Sequence, residues 1–103
     1  MPDWVAVCAV DDVELEDVVP FHLAGVDYAI YRSPDDRFFA TEGRCTHERA
    51  PLCDGLVVGG IIECPKHNGR FNYATGKATR RPALIDLQTY PVKVEDGTVY
   101  VEI

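Results

Sequence analysis

The amino-acid sequence predicts an all-β fold, a small antiparallel barrel or sandwich, on three observations. Short runs rich in Val, Ile, Tyr, Phe and Thr alternate apolar with polar residues, as half-buried strands do. No segment carries the sustained apolar stripe of an amphipathic helix. Between the last two runs stands Asp96-Gly97, and a type I′ hairpin turn needs positive φ at both of its central residues. The 103 residues suit one domain, which buries roughly two thirds of its unfolded surface on folding.

Taken in order, residues 4–10 alternate as a strand, with Cys8 as a small buried hydrophobe. Strands over 18–23 and 27–32 flank the turn dipeptide Ala24-Gly25. Ser33-Pro34-Asp35-Asp36 turns the chain into a strand over 37–41. Further on, 61–64 and 70–73 read as strands, with Gly59-Gly60 turning the chain into the first of them. The final pair, 89–95 and 98–103, forms the Asp96-Gly97 hairpin. Tyr90, Val92 and Val94 should face one way there, and Val99, Val101 and Ile103 should meet them across the core. The expected organisation is a single domain, 1–103: a base sheet from about 1–42 and 83–103, and an insert over about 43–82.

Ten Lys and Arg against seventeen Asp and Glu give a net charge of −7, which argues against nucleic acid or an anionic membrane as partner. The distribution is uneven: residues 1–42 carry −8, residues 43–82 carry +4 and residues 83–103 carry −3. The insert is a basic island on an acidic body. No apolar run approaches the ~18 residues of a membrane span, and the start, Met1-Pro2-Asp3-Trp4, has no secretory pattern. A soluble, cytoplasmic protein is expected, and its four cysteines are then thiols or metal ligands and not two disulfides.

Chemistry concentrates in two short motifs, Cys45-Thr46-His47 and Cys64-Pro65-Lys66-His67, with sixteen residues between them. Structural zinc motifs usually pair Cys with Cys and His with His. Here each motif mixes the two donors, which fits a two-iron cluster whose one iron takes both thiolates and whose other takes both imidazoles. A zinc module built from the same four residues remains the alternative, and colour separates the two. His22 stands apart from these motifs and reads as structural.

With these residues the chain resembles the Rieske iron-sulfur proteins, whose pattern is C-x-H, then fifteen to seventeen residues, then C-x-x-H. The resemblance extends to Ala50-Pro51-Leu52-Cys53-Asp54-Gly55 and to Pro82-Ala83-Leu84, Leu87 and Tyr90-Pro91-Val92, as in the ferredoxin components of bacterial ring-hydroxylating dioxygenases. It implies one 2Fe-2S cluster, with Cys45 and Cys64 on the buried iron and His47 and His67 on the outer one. It also implies a monomeric carrier without catalytic residues of its own. Such a carrier takes one electron from an NAD(P)H-dependent ferredoxin reductase to a terminal oxygenase of aromatic hydrocarbon catabolism, docking transiently at the His47/His67 tip. A fixed Rieske subunit of a nitrite-reductase-like complex is the second reading.

High-potential members of that family carry an extra cysteine in each ligand loop, joined as a disulfide, and a Ser and a Tyr that donate to sulfur. Ala50, Lys66, Gly69 and Phe71 occupy the corresponding places here. The expected potential therefore lies at the low end, below roughly 0 mV, of a Rieske range of about −150 to +300 mV. Gly43, Gly55 and Gly69 either bring backbone N–H groups to the cluster sulfurs or serve as turn residues. Pro82 belongs by resemblance to a third loop over the cluster, or else breaks a strand edge. Arg44, Arg49, Lys66, Arg70, Lys77, Arg80 and Arg81 form a basic docking face or are simply solvated charge.

Overall fold

The computed structural model describes residues 3–46, 49–66, 68–81 and 83–103. Among the described residues eleven strands form three sheets, and every described strand pair is antiparallel. β1 (Trp4–Ala9), β11 (Thr98–Glu102) and β10 (Val92–Glu95) make the first sheet, in the order β1-β11-β10. The second is β2 (Asp17–Leu23), β3 (Val26–Arg32), β4 (Phe38–Glu42) and β9 (Thr89–Tyr90), in that order. The third is β5 (Leu56–Val58), β6 (Ile61–Glu63), β7 (Arg70–Asn72) and β8 (Ala78–Arg80), also in sequence order.

The turns form where their residues tolerate left-handed backbone. Ala24 and Gly25 (φ 52° and 80°), Gly59 and Gly60 (56° and 85°) and Asp96 and Gly97 (50° and 76°) each supply the two positive φ values of a tight hairpin. Between β3 and β4, Asp36 takes φ 64° and the Ser33 N–H donates to the Arg37 carbonyl at 2.7 Å.

The predicted strand over 89–95 is two strands in different sheets. Pro91 has no N–H with which to continue a ladder, and the chain crosses over there: Thr89 and Tyr90 pair with Thr41 and Ala40, whereas Val92 onward pairs with β11. Val92 and Val94 consequently sit beside Val101 and Val99 in one sheet rather than facing them across the core. Strands β5 and β8 were not predicted. They are the outer strands of the third sheet.

Apolar packing forms two groups. Ile30, Ala40, Val99 and Val101 sit between the first two sheets, with Tyr90, Val92 and Ile103 against them. The other joins the second sheet to the third: Val18, Ala29, Tyr31, Ala50, Leu52, Ile62, Phe71, Tyr73, Ala83 and Leu87 pack with Cys45 and Cys64. At its centre Tyr31 of β3 stacks on Tyr73, just after β7, with ring centroids 4.6 Å apart and planes 2° from parallel. The Tyr31 hydroxyl shares a 2.9 Å hydrogen bond with Thr41, so a buried polar pair is satisfied within the sheet.

Candidate metal centre

Two loops carry the ligand candidates, and their backbones close alike. The Cys45 N–H donates to the Ala50 carbonyl at 2.9 Å, and the Cys64 N–H to the Gly69 carbonyl at 2.7 Å, five positions ahead in each case. In each loop the residue before the closing carbonyl has left-handed backbone: Arg49 and Asn68, both at φ 59°. Asn tolerates that conformation; Arg does so only under restraint. Two hydrogen bonds restrain it. The Arg49 N–H donates to the Cys45 carbonyl at 2.8 Å, and its own carbonyl accepts from Arg44 Nη1 at 3.0 Å.

Strands aim both loops at one place. Cys45 follows β4 and Cys64 follows β6, and both are almost fully buried, at 0% and 1% exposure, in the group that joins the second and third sheets. None of the four cysteines is in a disulfide. Two buried thiols delivered by twin loops into one pocket of packing suit a metal bound by two thiolates, since thiolate is the metal-binding form and burial excludes competing water. His47, His67 and Pro82 lie outside the described residues.

The entrance to the first loop is gripped by Asp27 at the start of β3. Its carbonyl accepts the Gly43 N–H at 2.8 Å, and its carboxylate accepts Arg44 Nε at 2.8 Å and meets His22 Nδ1 at 2.5 Å. The hydrogen bonds from His22 and then Arg44 hold the Asp27 carboxyl below the usual carboxylate range. This acid was not singled out from sequence, because its partner Arg44 lies seventeen positions away. His22 is exposed and serves that carboxylate.

Gly43, Gly55 and Gly69 are close-packed rather than left-handed. A Cβ on Gly43 would stand 2.8 Å from the Asp27 backbone, one on Gly55 2.1 Å from the Glu63 carbonyl, and one on Gly69 3.0 Å from Ala83. The N–H of Gly43 is given to Asp27 and that of Gly55 to the Leu52 carbonyl. At these two positions the plain turn and packing role therefore accounts for the residue. The outlying cysteines also read as structural: both are half-buried, and burial first, then Asp12 for Cys8 and Asp54 for Cys53, pushes their thiols up. Of the basic island, Arg44 is tied to Asp27 and Arg70 pairs with Glu63 at 2.7 Å. Arg49, Lys66, Lys77, Arg80 and Arg81 are exposed.

An antiparallel β fold with a third small sheet, carrying two cysteines on matched loops into one core, suits an iron-sulfur carrier of the Rieske class. The Rieske [2Fe-2S] domain profile matches residues 3–91; the chain belongs to the Rieske family, and its cofactor is a Rieske-type 2Fe-2S cluster. The ferredoxin component of the naphthalene 1,2-dioxygenase/salicylate 5-hydroxylase systems of Ralstonia sp. is 39% identical over 100 residues, 97% of this chain and 95% of the relative. Among solved structures, the Sphingomonas yanoikuyae B1 ferredoxin superposes with a TM-score of 0.91 at 38% identity, covering 98% of this chain and 99% of its own. A ferredoxin in the complex of reduced oxygenase and oxidized ferredoxin in carbazole 1,9a-dioxygenase gives 0.90 at 38% identity, over 96% and 92% of the two chains. Among the described residues no helix is long and apolar enough to cross a membrane.

Proposed function

We propose that this chain is the ferredoxin of a ring-hydroxylating oxygenase system, taking one electron at a time from an NAD(P)H-dependent ferredoxin reductase to a terminal oxygenase. It is an electron carrier and not itself an enzyme. The observation that carries this reading is the delivery of Cys45 and Cys64 by two alike loops into one buried group, in a chain similar over nearly its full length to ferredoxin components. On this reading Cys45 and Cys64 hold one iron, and His47 and His67 the other.

Held by these four residues, a 2Fe-2S cluster would supply one-electron chemistry, its formal charge passing between neutral and −1. The chain's own part is to hold that site still and dry. Residues 43–82 act as the cluster-binding unit, set on a base from residues 1–42 and 83–103. The stacked Tyr31 and Tyr73 at the join, and the Asp27–Arg44 pair at the mouth of the first loop, limit reorganisation. Ala50 and Lys66 supply no disulfide between the loops, and buried Phe71 supplies no hydroxyl; both features support a low potential. The partner meets the protein at the His47/His67 tip, and the carrier works as a monomer in the cytoplasm.

Electron paramagnetic resonance of the reduced protein, with a redox titration, tests the reading. The expected outcome is a Rieske signal that Cys45→Ser or Cys64→Ser abolishes, with a potential below roughly 0 mV. A colourless zinc protein would refute the cluster assignment, and a potential above about +100 mV would refute the low-potential assignment.

A further inference from the structure

The loop after β8 presents an apolar apex that the core does not use. Leu84 and Ile85 are 72% and 67% exposed, although Ala83 and Leu87 on either side are buried. Hydrogen bonds pin the loop from both sides. The Ala83 N–H donates to the Arg80 carbonyl at 3.1 Å and the Leu87 N–H to the Gly76 carbonyl at 2.7 Å. The Thr46 hydroxyl donates to the Ile85 carbonyl at 2.6 Å, and the Asp86 carboxylate accepts the Ala78 N–H at 2.8 Å. Leu84 and Ile85 are thus held outward in one place. Thr46 lies within the first ligand motif and Ala83 packs against Gly69 of the second loop, so the apex stands beside both.

Cations lie just before it in the chain and in the second motif. Arg80 and Arg81 precede it and Lys66 extends from the second motif, all exposed. Asp86, the acid of the same loop, is occupied by the Ala78 N–H. The chain as a whole carries −7 although residues 43–82 carry +4, so this apolar apex with basic neighbours differs in charge from the acidic body.

We propose that Leu84 and Ile85 form the apolar centre, and Lys66, Arg80 and Arg81 the cationic rim, of the surface on which the terminal oxygenase docks. It fits an oxygenase face with an apolar depression edged by carboxylates. This rests on the electron-carrier reading above, and the oxygenase is the occupant because a similar ferredoxin forms a complex with its oxygenase. The two parts act differently: the aliphatic centre holds the complex whatever the salt, and the rim draws the partner in only while charges are unscreened.

The test follows reoxidation of the reduced protein by two oxygenases, those of the Ralstonia naphthalene system and of carbazole 1,9a-dioxygenase, in stopped flow. The double variant Leu84→Ser/Ile85→Ser should raise the half-saturating oxygenase concentration about tenfold at low and high salt alike. Its visible spectrum, paramagnetic resonance and potential should match wild type, because neither side chain is in the core. Arg80→Glu/Arg81→Glu should raise it at low salt and converge with wild type at about 1 M salt, where screening is nearly complete. An unchanged half-saturation for the serine variant overturns the proposal, as does an effect confined to reduction by the reductase. Transfer to neither oxygenase by wild type with an intact cluster would overturn the carrier reading instead.

Discussion

Phe71 lies fully buried in the group that contains both cysteines and brings no hydroxyl to it. Replacing it with Tyr adds one O–H donor to that group. A donor stabilises the more negative, reduced state, so Phe71→Tyr should raise the reduction potential. Redox titration checks this; an unchanged potential with lowered stability, about 1–3 kcal/mol for an overpacked core, would show that the hydroxyl does not reach sulfur. The partnership of Cys45 and Cys64 was legible in the sequence from their two mixed motifs, and the structure brings both into one buried group. Asp27 was not legible. Its work depends on Arg44 and His22 arriving at the same carboxylate, a convergence made by the β2–β3 hairpin and by the entry to the first loop.

Among the elements, the loop over the third sheet is fixed by Gly76 at the turn between β7 and β8. This glycine has φ 81°, and a Cβ there would stand 2.2 Å from the Leu87 carbonyl while Gly76 itself accepts the Leu87 N–H. Gly76→Ala combines left-handed strain with a backbone clash, and should cost about 2 kcal/mol or more. Urea denaturation measures the loss, and a variant as stable as wild type would contradict the close approach. Hairpins were readable because their turn residues announce positive φ. The break at Pro91 could be read only as a strand-edge signal; the sheet that each half joins is a tertiary choice. Strands β5 and β8 are the outer strands of the third sheet, and pairing with β6 and β7 completes what their own sequence leaves open.

For the molecule as a whole, acid should be the weak side. Asp27 is held below the usual carboxylate range by His22 and Arg44, and Asp35 by the Ser33 hydroxyl. A carboxylate whose folded pKa is depressed contributes stability that is fully present above its unfolded value of about 4 and is lost as pH falls through the folded value. Wild type should therefore exceed Asp27→Asn/Asp35→Asn in urea midpoint at neutral pH, and the two should converge as pH falls below about 4. Parallel midpoints across that window would contradict the linkage. The all-β architecture was predictable from patterning across the entire chain, but the way the second sheet is keyed to the third was not, because Tyr31 and Tyr73 gain their meaning only when stacked.

That stack also gives the protein an internal optical gauge. Two parallel phenol rings 4.6 Å apart couple their electronic transitions, so the part of the near-ultraviolet dichroism that Tyr31→Phe removes reports whether the two sheets remain in register. Trp4, the single tryptophan, lies elsewhere on β1 under the Lys93 ammonium at 4.7 Å, and its fluorescence watches the first sheet alone. Light absorbed by native side chains thus distinguishes loosening at the junction beneath the metal loops from fraying at the opposite sheet, with no label attached.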